Sequence, residues 1–441
     1  MSIAKYESYI ASDIVWIGDM PIHWKSQRLK MLFVRQQRDH SEDDGIVTAF
    51  RDGTVTLRSK RRTDGFTNAL KEIGYQGVKA GDLVIHAMDA FAGAIGVSED
   101  DGKSSPVYSV CTPRPNVDAH YYGHLLRYMS TTGFIASLSK GVRERSTEFR
   151  WVEAGNLSVP MPPIEEQRHI VHFLDRETAK IDALVEEQKR LIELLKEKRQ
   201  AVISHAVTKG LDPSAPMKDS GIDWLGEVPV HWDVSPMKYL VTFRSGGTPS
   251  KAVEAYWNGE IPWVSSKDMK SDVILDTEDH ISVFAISKGE AKIVDAGTVV
   301  VVVRGMILAR TFPVSVLQKP MAINQDLKAI VPQHGMSSEF LSWALRASTS
   351  ETLGRLDEAG HGTKALRMEA WSSMALPLPP MGEQDAIVDY LQRQTSQIDA
   401  LLEASSSAIT LFQERRSSLI SAAVTGKIDV RDAIPAEAEA A

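Results

Sequence analysis

Five cations crowd one short stretch of this chain: "RDGTVTLRSKRR" carries Arg51, Arg58, Lys60, Arg61 and Arg62. Guanidinium and ammonium groups at this density suit phosphate binding. The chain as a whole points the other way, with a formal net charge of -8 at pH 7. Because Lys and Arg neutralise phosphates in nucleic-acid binding, that balance argues against a protein that coats nucleic acid unaided. Much of the acidic excess falls in expected helices and the Ala/Glu tail, so charge has to be read locally. Other chemistry is sparse. There is no GxxxxGK[ST] loop, no GxGxxG after a strand, and no HExxH or CxxC. The Asn/Asp-Pro-Pro-aromatic segment of amino-methyltransferases is also missing; "LPLPPMGEQ" has the prolines without the acid or the aromatic. A nuclease-like set of carboxylates plus Lys is too loose a pattern to be judged from sequence. His120 and His124 stand four apart on an expected helix, the spacing of a ligand pair, but no third ligand accompanies them and a structural role is favoured.

These groups need elements to position them, and 441 residues are enough for two or more cores. No apolar run approaches the roughly 18 to 20 residues of a membrane span; the longest, Val299 to Val303, has the length of a buried strand. "MSIAKYESYI" carries no signal pattern, and the lone Cys111 supports neither a disulfide framework nor a thiolate metal site. A cytoplasmic address is expected.

The chain also repeats itself. "WIGDMPIHW" from Trp16 returns as "WLGEVPVHW" from Trp224, an offset of 208. "AGDLVI" from Ala80 matches "AGTVVV" from Ala296 at 216, and "PPIEEQRHIVHFLDRETAKIDAL" from Pro162 matches "PPMGEQDAIVDYLQRQTSQIDAL" from Pro379 at 217. Offsets that grow slowly and in order mean one unit copied whole. The ends of the copies match closely, whereas "RQQRDHSEDDGIVTAFRDGTVTLRSKRRTDGF" has no visible counterpart in the second half. The repeat also weakens a metal reading of Glu166, His169 and His172, since Glu383, Ala386 and Asp389 replace them; ordinary helix-surface residues are expected.

Each shared end reads as a long helix, opened by a Pro pair and closed by Gly210 or Gly426. About 45 residues at about 1.5 Å each give a rod on the order of 65 Å. Alternate steps of four and three give apolar seams. The first holds Val171, Leu174, Ile181, Val185, Ile192, Leu195 and Val202; the second holds Val388, Leu391, Ile398, Leu402, Ile409, Phe412 and Leu419. Thr178, Gln188 and Arg199 interrupt the first seam where Thr395, Ser405 and Arg416 interrupt the second. Polar residues in an apolar seam fix register at some cost in stability. The rods are expected to pair with each other, antiparallel if the halves are related by a two-fold axis. Between the shared pieces lie roughly 130 residues of short strands and turns per copy, with helices at "AHYYGHLLRYMSTTGFIASL" and "SSEFLSWALRASTSETLGRL".

The chain resembles the specificity subunits of type I restriction-modification enzymes. "GEVPVHWDVSPMKYL", "SGGTPSK", "IPWVSSKDM", "INQDLKAI", "GTKALR" and "LPPMGEQDAIVDYL" through "ISAAVTGKID" carry the likeness, with weaker echoes in the first half. The resemblance implies an α+β chain with two mixed α/β target-recognition domains, each followed by a long helix, the helices pairing as an antiparallel coiled coil with pseudo-two-fold symmetry. Residues 1–160 would form the first recognition domain, 161–210 the central spacer helix, 211–377 the second domain, 378–428 the distal helix and 429–441 a disordered tail. Each domain would read one half of a split, asymmetric DNA target, beginning at its Trp-to-Trp segment. The chain itself would be non-catalytic and bind no cofactor. Two methylase subunits and two restriction subunits would assemble on it, bringing S-adenosylmethionine, ATP and Mg.

Specific readout of double-stranded DNA needs Arg or Lys at guanine and Asn or Gln at adenine, with other cations on phosphates. Candidates in the first domain are Arg58, Lys60, Arg61, Arg62, Arg143 and Arg145. In the second they are Lys251, Lys267, Arg304, Lys364 and Arg367. Met88 stands where the second copy has Arg304, so the two domains are not expected to grip DNA through identical residues. A protein-only helical scaffold and a single-chain DNA-modifying enzyme with an undetected active site remain the alternatives.

Overall fold

The structure, a computed structural model, describes residues 4–14, 16–61, 72–138, 149–333, 335–358 and 363–433. It is a mixed α+β chain with two long helices, Ile164–Lys209 of 46 residues and Met381–Val424 of 44. Each rod lies within a few residues of its expected bounds. Two compact units divide the chain: 1–189 with 407–441, and 190–406. Each rod is therefore split between them, which the linear division into domain and spacer does not convey.

The central sheet of the first unit runs in the order Phe33–Arg35, Tyr108–Pro113, Leu83–His86, Ile95–Val97, all antiparallel. The second unit repeats that order as Val241–Ser245, Leu327–Pro332, Val299–Val302, Val314–Leu317, and adds Val273–Ile274 in parallel at the edge. Val299 to Val302 are fully buried, as a continuous apolar strand in a sheet covered on both faces must be. The helix Ala119–Thr131 buries Tyr121, Tyr122, Leu125 and Met129 in the first unit, while Ser338–Ala347 buries Phe340, Leu341 and Ala344 in the second. The segment unique to the first half folds as a hairpin, Val47–Ala49 with Val55–Leu57, on its own small core of Val78, Val84, Tyr108 and Val110.

The shared ends of the repeat form a joint, and it is built the same way in both units. Gln167, in the first turn of its rod, is fully buried; its amide donates to the Pro162 carbonyl (2.8 Å) and its oxygen accepts from Asp118 N (2.9 Å). Gln384 does the same with the Pro379 carbonyl (2.8 Å) and Ser337 N (2.9 Å). Asp118 and Ser337 are the N-caps of the globule helices, so each Gln ties a rod's start to the helix that covers its sheet. Beside each Gln, a Glu receives the repeated His-Trp pair. Trp24 Nε1 donates to Glu166 (2.9 Å) and His23 Nε2 lies 2.8 Å from it; Trp232 Nε1 donates to Glu383 (2.9 Å) and His231 Nε2 lies 2.6 Å away. Glu166 is only 4% exposed. The reading of it as an ordinary helix-surface residue is therefore corrected: its carboxylate is a buried acceptor. Among the described residues no three ligating side chains cluster as a metal site.

The Trp-to-Trp segments also close rod ends. Gly426 has φ +72° and sits so tightly under Pro21 that a Cβ would lie 2.5 Å from its ring; Gly210, at φ +75°, would place a Cβ 3.1 Å from Trp232. Both positive φ and lack of space demand glycine there. These segments thus help hold the rod ends in place. Residues 429–433, expected in a disordered tail, are packed: Asp429 N bonds the Ala4 carbonyl (2.8 Å), and Val430 is fully buried. Residues 434–441 lie outside those described.

In the seams, Leu174, Ile181, Val185, Leu195, Val388, Leu391 and Ile398 are buried, whereas Val171, Ile192, Val202, Leu402, Ile409, Phe412 and Leu419 are half-buried. The interrupting Thr178 and Thr395 satisfy themselves, each hydroxyl donating to the carbonyl four residues back (2.7 Å). The interrupting arginines pair with aspartates of the other long helix. Arg416 lies 3.1 Å from Asp182 in the first unit, and Arg199 donates to Asp399 (3.0 Å) in the second.

Candidate nucleic-acid interface

In the first unit the cationic stretch follows the hairpin. Its turn, Phe50 to Gly53, carries Asp52, whose carboxylate receives a two-pronged bond from Arg61, with Nη1 to Oδ1 at 3.0 Å; the Arg61 guanidinium also lies 4.2 Å above the Phe50 ring. The Arg61 bond holds the Asp52 carboxyl at about 2, below the usual 3.8. Lys60 pairs with Asp100 and likewise lowers that carboxyl to about 2. Arg58 Nε donates to Thr48 Oγ1 (2.9 Å). Arg62, Arg143 and Arg145 lie outside the described residues.

Two further cations adjoin this hairpin, Arg51 of the basic stretch and Arg127, which no sequence motif marks. Arg51 is 68% exposed and bonds Asp89 at 3.0 Å. The Arg127 guanidinium packs flat on Gly53, where a Cβ would come within 2.4 Å of it. Arg127 could have been found through the repeat, since "LLR" in its helix answers "ALR" in the helix that carries Arg346.

In the second unit, a three-stranded sheet brings together residues far apart in sequence. Arg304–Gly305 pairs with Lys364–Leu366, which pairs with Leu356–Glu358. Arg304 and Lys364 thereby stand on adjacent strands, with Arg367 just beyond. Arg304 Nε bonds Asp326 (2.7 Å), Lys364 bonds Glu358 (2.8 Å), and Arg367 lies 3.5 Å from Asp357. Met306, 72% exposed, adjoins this sheet. Lys267 is elsewhere, held at 2.9 Å by both Glu278 and Asp279, whose bonds raise its pKa. Lys251 is exposed and shares a shallow cleft with Trp257, Asn258 and Asp279. Met88, the first-unit counterpart of Arg304, is 46% exposed and brings no charge.

Lys60, Arg61, Lys267, Arg304, Lys364 and Arg367 each sit against a carboxylate. Such pairing orients long side chains and cancels much of their field, which weakens indiscriminate attraction to phosphate.

Residues 229–411 match the family model of the type I restriction modification DNA specificity domain. Over that span the chain is similar to the specificity subunits of type I restriction-modification systems. It is 29% identical over 171 residues to the Escherichia coli EcoR124I/EcoR124II specificity subunit, a match covering 38% of this chain and 42% of that subunit. A putative MjaX specificity subunit of Methanocaldococcus jannaschii is 23% identical over 326 residues, 72% of this chain and 71% of the relative. The first-named curated match thus spans well under two thirds of its relative. Among solved structures, a chain from work on complex assembly and conformational transition of the type I R-M system superposes with a TM-score of 0.70, at 16% identity and with 92% of this chain and 98% of that one covered. The HsdS subunit from Thermoanaerobacter tengcongensis gives 0.54 at 17% identity, covering 93% and 98%. At these identities the likeness is one of fold, and it extends along nearly the whole specificity subunit. No helix among the described residues is long and apolar enough to cross a membrane.

Proposed function

We propose that this chain is such a specificity subunit, reading a split, asymmetric double-stranded DNA target without catalysing a reaction. The observation that carries the reading is one sheet order repeated in two units whose described candidate cations sit on different elements, beside the hairpin in the first and on the three-stranded sheet in the second. A constant frame with non-equivalent basic surfaces suits the recognition of two different half-sites. Arg58, Lys60 and Arg61 beside the hairpin serve the first half-site. Arg304, Lys364 and Arg367 on the three-stranded sheet serve the second, with Lys251 and Lys267 as phosphate contacts.

The rods act as the spacer in this reading and pair as an antiparallel coiled coil related by a pseudo-two-fold axis. Support comes from reciprocity: Asp182 with Arg416 and Asp399 with Arg199 are the same pair in repeat terms, since 182 + 217 = 399 and 199 + 217 = 416. Exchange of i–j for j–i is the mark of a two-fold contact. Half-sites one helical turn apart, about 34 Å, fall within the span of such rods. Two methylase subunits and two restriction subunits assemble on this frame and supply S-adenosylmethionine, ATP and Mg, while this chain binds no cofactor. The assembly works in the cytoplasm.

The test is to co-express the chain with its methylase subunit and map methylated adenines across a genome by single-molecule sequencing. Methylation at one two-part sequence with a fixed gap is expected, and exchanging the first globule should alter one half alone. A soluble complex whose methylation ignores that exchange would favour a protein-only scaffold.

A further inference from the structure

The joint at the start of each rod is duplicated, but it is filled in only one unit. In the first, Tyr6 occupies it. The Tyr6 hydroxyl donates to Glu166, and its ring stands edge-on to Trp24 at 6.0 Å and tilted over His23 at 5.5 Å, with the Arg431 guanidinium 5.2 Å from its other side. Tyr6 is 5% exposed, and burial together with its bond to Glu166 pushes its pKa well above the usual value. The phenol thus completes a set of three donors on one buried carboxylate: Tyr6, Trp24 and His23.

In the second unit the repeat offset of 208 puts Ser214 where Tyr6 stands. Ser214 Oγ donates to Asp212 at 2.6 Å, and among the described residues no ring takes the phenol's place beside Glu383. What remains is an open cleft of about 250 Å³ lined by Gly210, Leu211, Pro229, His231, Glu383 and Ile387. Glu383 keeps its bonds to His231 and Trp232 and is 43% exposed, against 4% for Glu166. A carboxylate accepts about four hydrogen bonds, so it retains room for a further donor. The cleft is smaller than small-molecule pockets of about 300 to 1,000 Å³, a size that suits a single side chain.

We propose that the cleft at Glu383 receives a tyrosine side chain from a partner protein, the phenol hydroxyl donating to Glu383 as Tyr6 does to Glu166. The chain's own first unit supplies the template for this occupant: an apolar wall for the ring and an anionic acceptor at its end. Aliphatic side chains would leave the Glu383 acceptor unused.

The experiment uses the full chain, with the Trp232 indole N–H followed by NMR. The probes are the blocked peptide Ala-Tyr-Ala, its Phe counterpart and free p-cresol. The expected result is a saturable shift of the Trp232 signal by the Tyr peptide, with affinity about tenfold above that of the Phe peptide, the worth of one hydrogen bond to a charged acceptor. Ser214→Tyr, which fills the cleft from within, should abolish the shift, while the Trp24 signal stays still throughout. Equal binding of Tyr and Phe peptides, no shift at saturating probe, or undiminished binding to folded Ser214→Tyr would each overturn the proposal. Binding of p-cresol with exclusion of the peptide would also overturn it, by making the site one for a small phenol. Because the readout involves neither DNA nor methylation, it stands or falls separately from the reading of the rods and recognition surfaces.

Discussion

At the scale of single residues, the candidate DNA contacts are distinguished by what already holds them. Arg61 is fixed by Asp52 and Phe50, and Lys60 by Asp100, so each presents a positioned cation rather than a free one. The ionisation of Asp52 gives this a measurable signature. Its folded pKa of about 2 lies below the 3.8 of an unperturbed aspartate, so its pairing stabilises the fold above about pH 3.8. That contribution is lost as pH falls through about 2. Arg61→Ala should move the Asp52 carboxyl titration, followed by ¹³C NMR, most of the way back toward 3.8. A titration that stayed near 2 would assign the shift to the Thr54 backbone N–H, which donates at 3.0 Å. The Lys60 pairing is not visible in "RDGTVTLRSKRR" alone, because Asp100 lies 40 positions from Lys60 and reaches it only through folding.

At the scale of elements, the long helices were legible because their signal is local and periodic. The Pro pairs, the seams and the closing glycines placed them within a few residues of Ile164–Lys209 and Met381–Val424. Burial within the seams is uneven, and the polar interruptions explain part of it. Thr178 and Thr395 turn their hydroxyls back on their own helix, whereas Arg199 and Arg416 reach across to aspartates. The exposed aspartates of these ion pairs, joined to half-buried arginines, limit each to about 1 kcal/mol, so they set register more than stability. Asp182→Arg should therefore lower the melting temperature slightly, and adding Arg416→Asp should recover most of that loss, read by thermal denaturation. A double variant whose loss equals the sum of the two single losses would displace the proposed register.

At the scale of the whole molecule, the balance of charge decides how the chain meets DNA. With a net charge of -8 and most candidate cations already neutralised, the isolated chain should bind duplex DNA only at about 10⁻⁴ to 10⁻⁶ M at physiological salt. Fluorescence anisotropy across a salt series checks this, and specific binding near 10⁻⁸ M by the chain alone would contradict it. Replacing Asp52 and Asp326 with Asn should tighten binding to all sequences alike, since both changes unmask cations without adding a base contact.

The sequence by itself determined the duplication, the rods, the frame and the expectation of non-equivalent surfaces, because each is written as local periodicity or as similarity at a fixed offset. Tertiary structure alone decided the rest. It placed Arg304 beside Lys364, buried Glu166 under Trp24, and filled one joint with Tyr6 while leaving its copy open at Glu383. These outcomes depend on which side chains meet across long stretches of chain. A pattern of spacing along the chain specifies the face a residue occupies, but not the partner that folding brings to it.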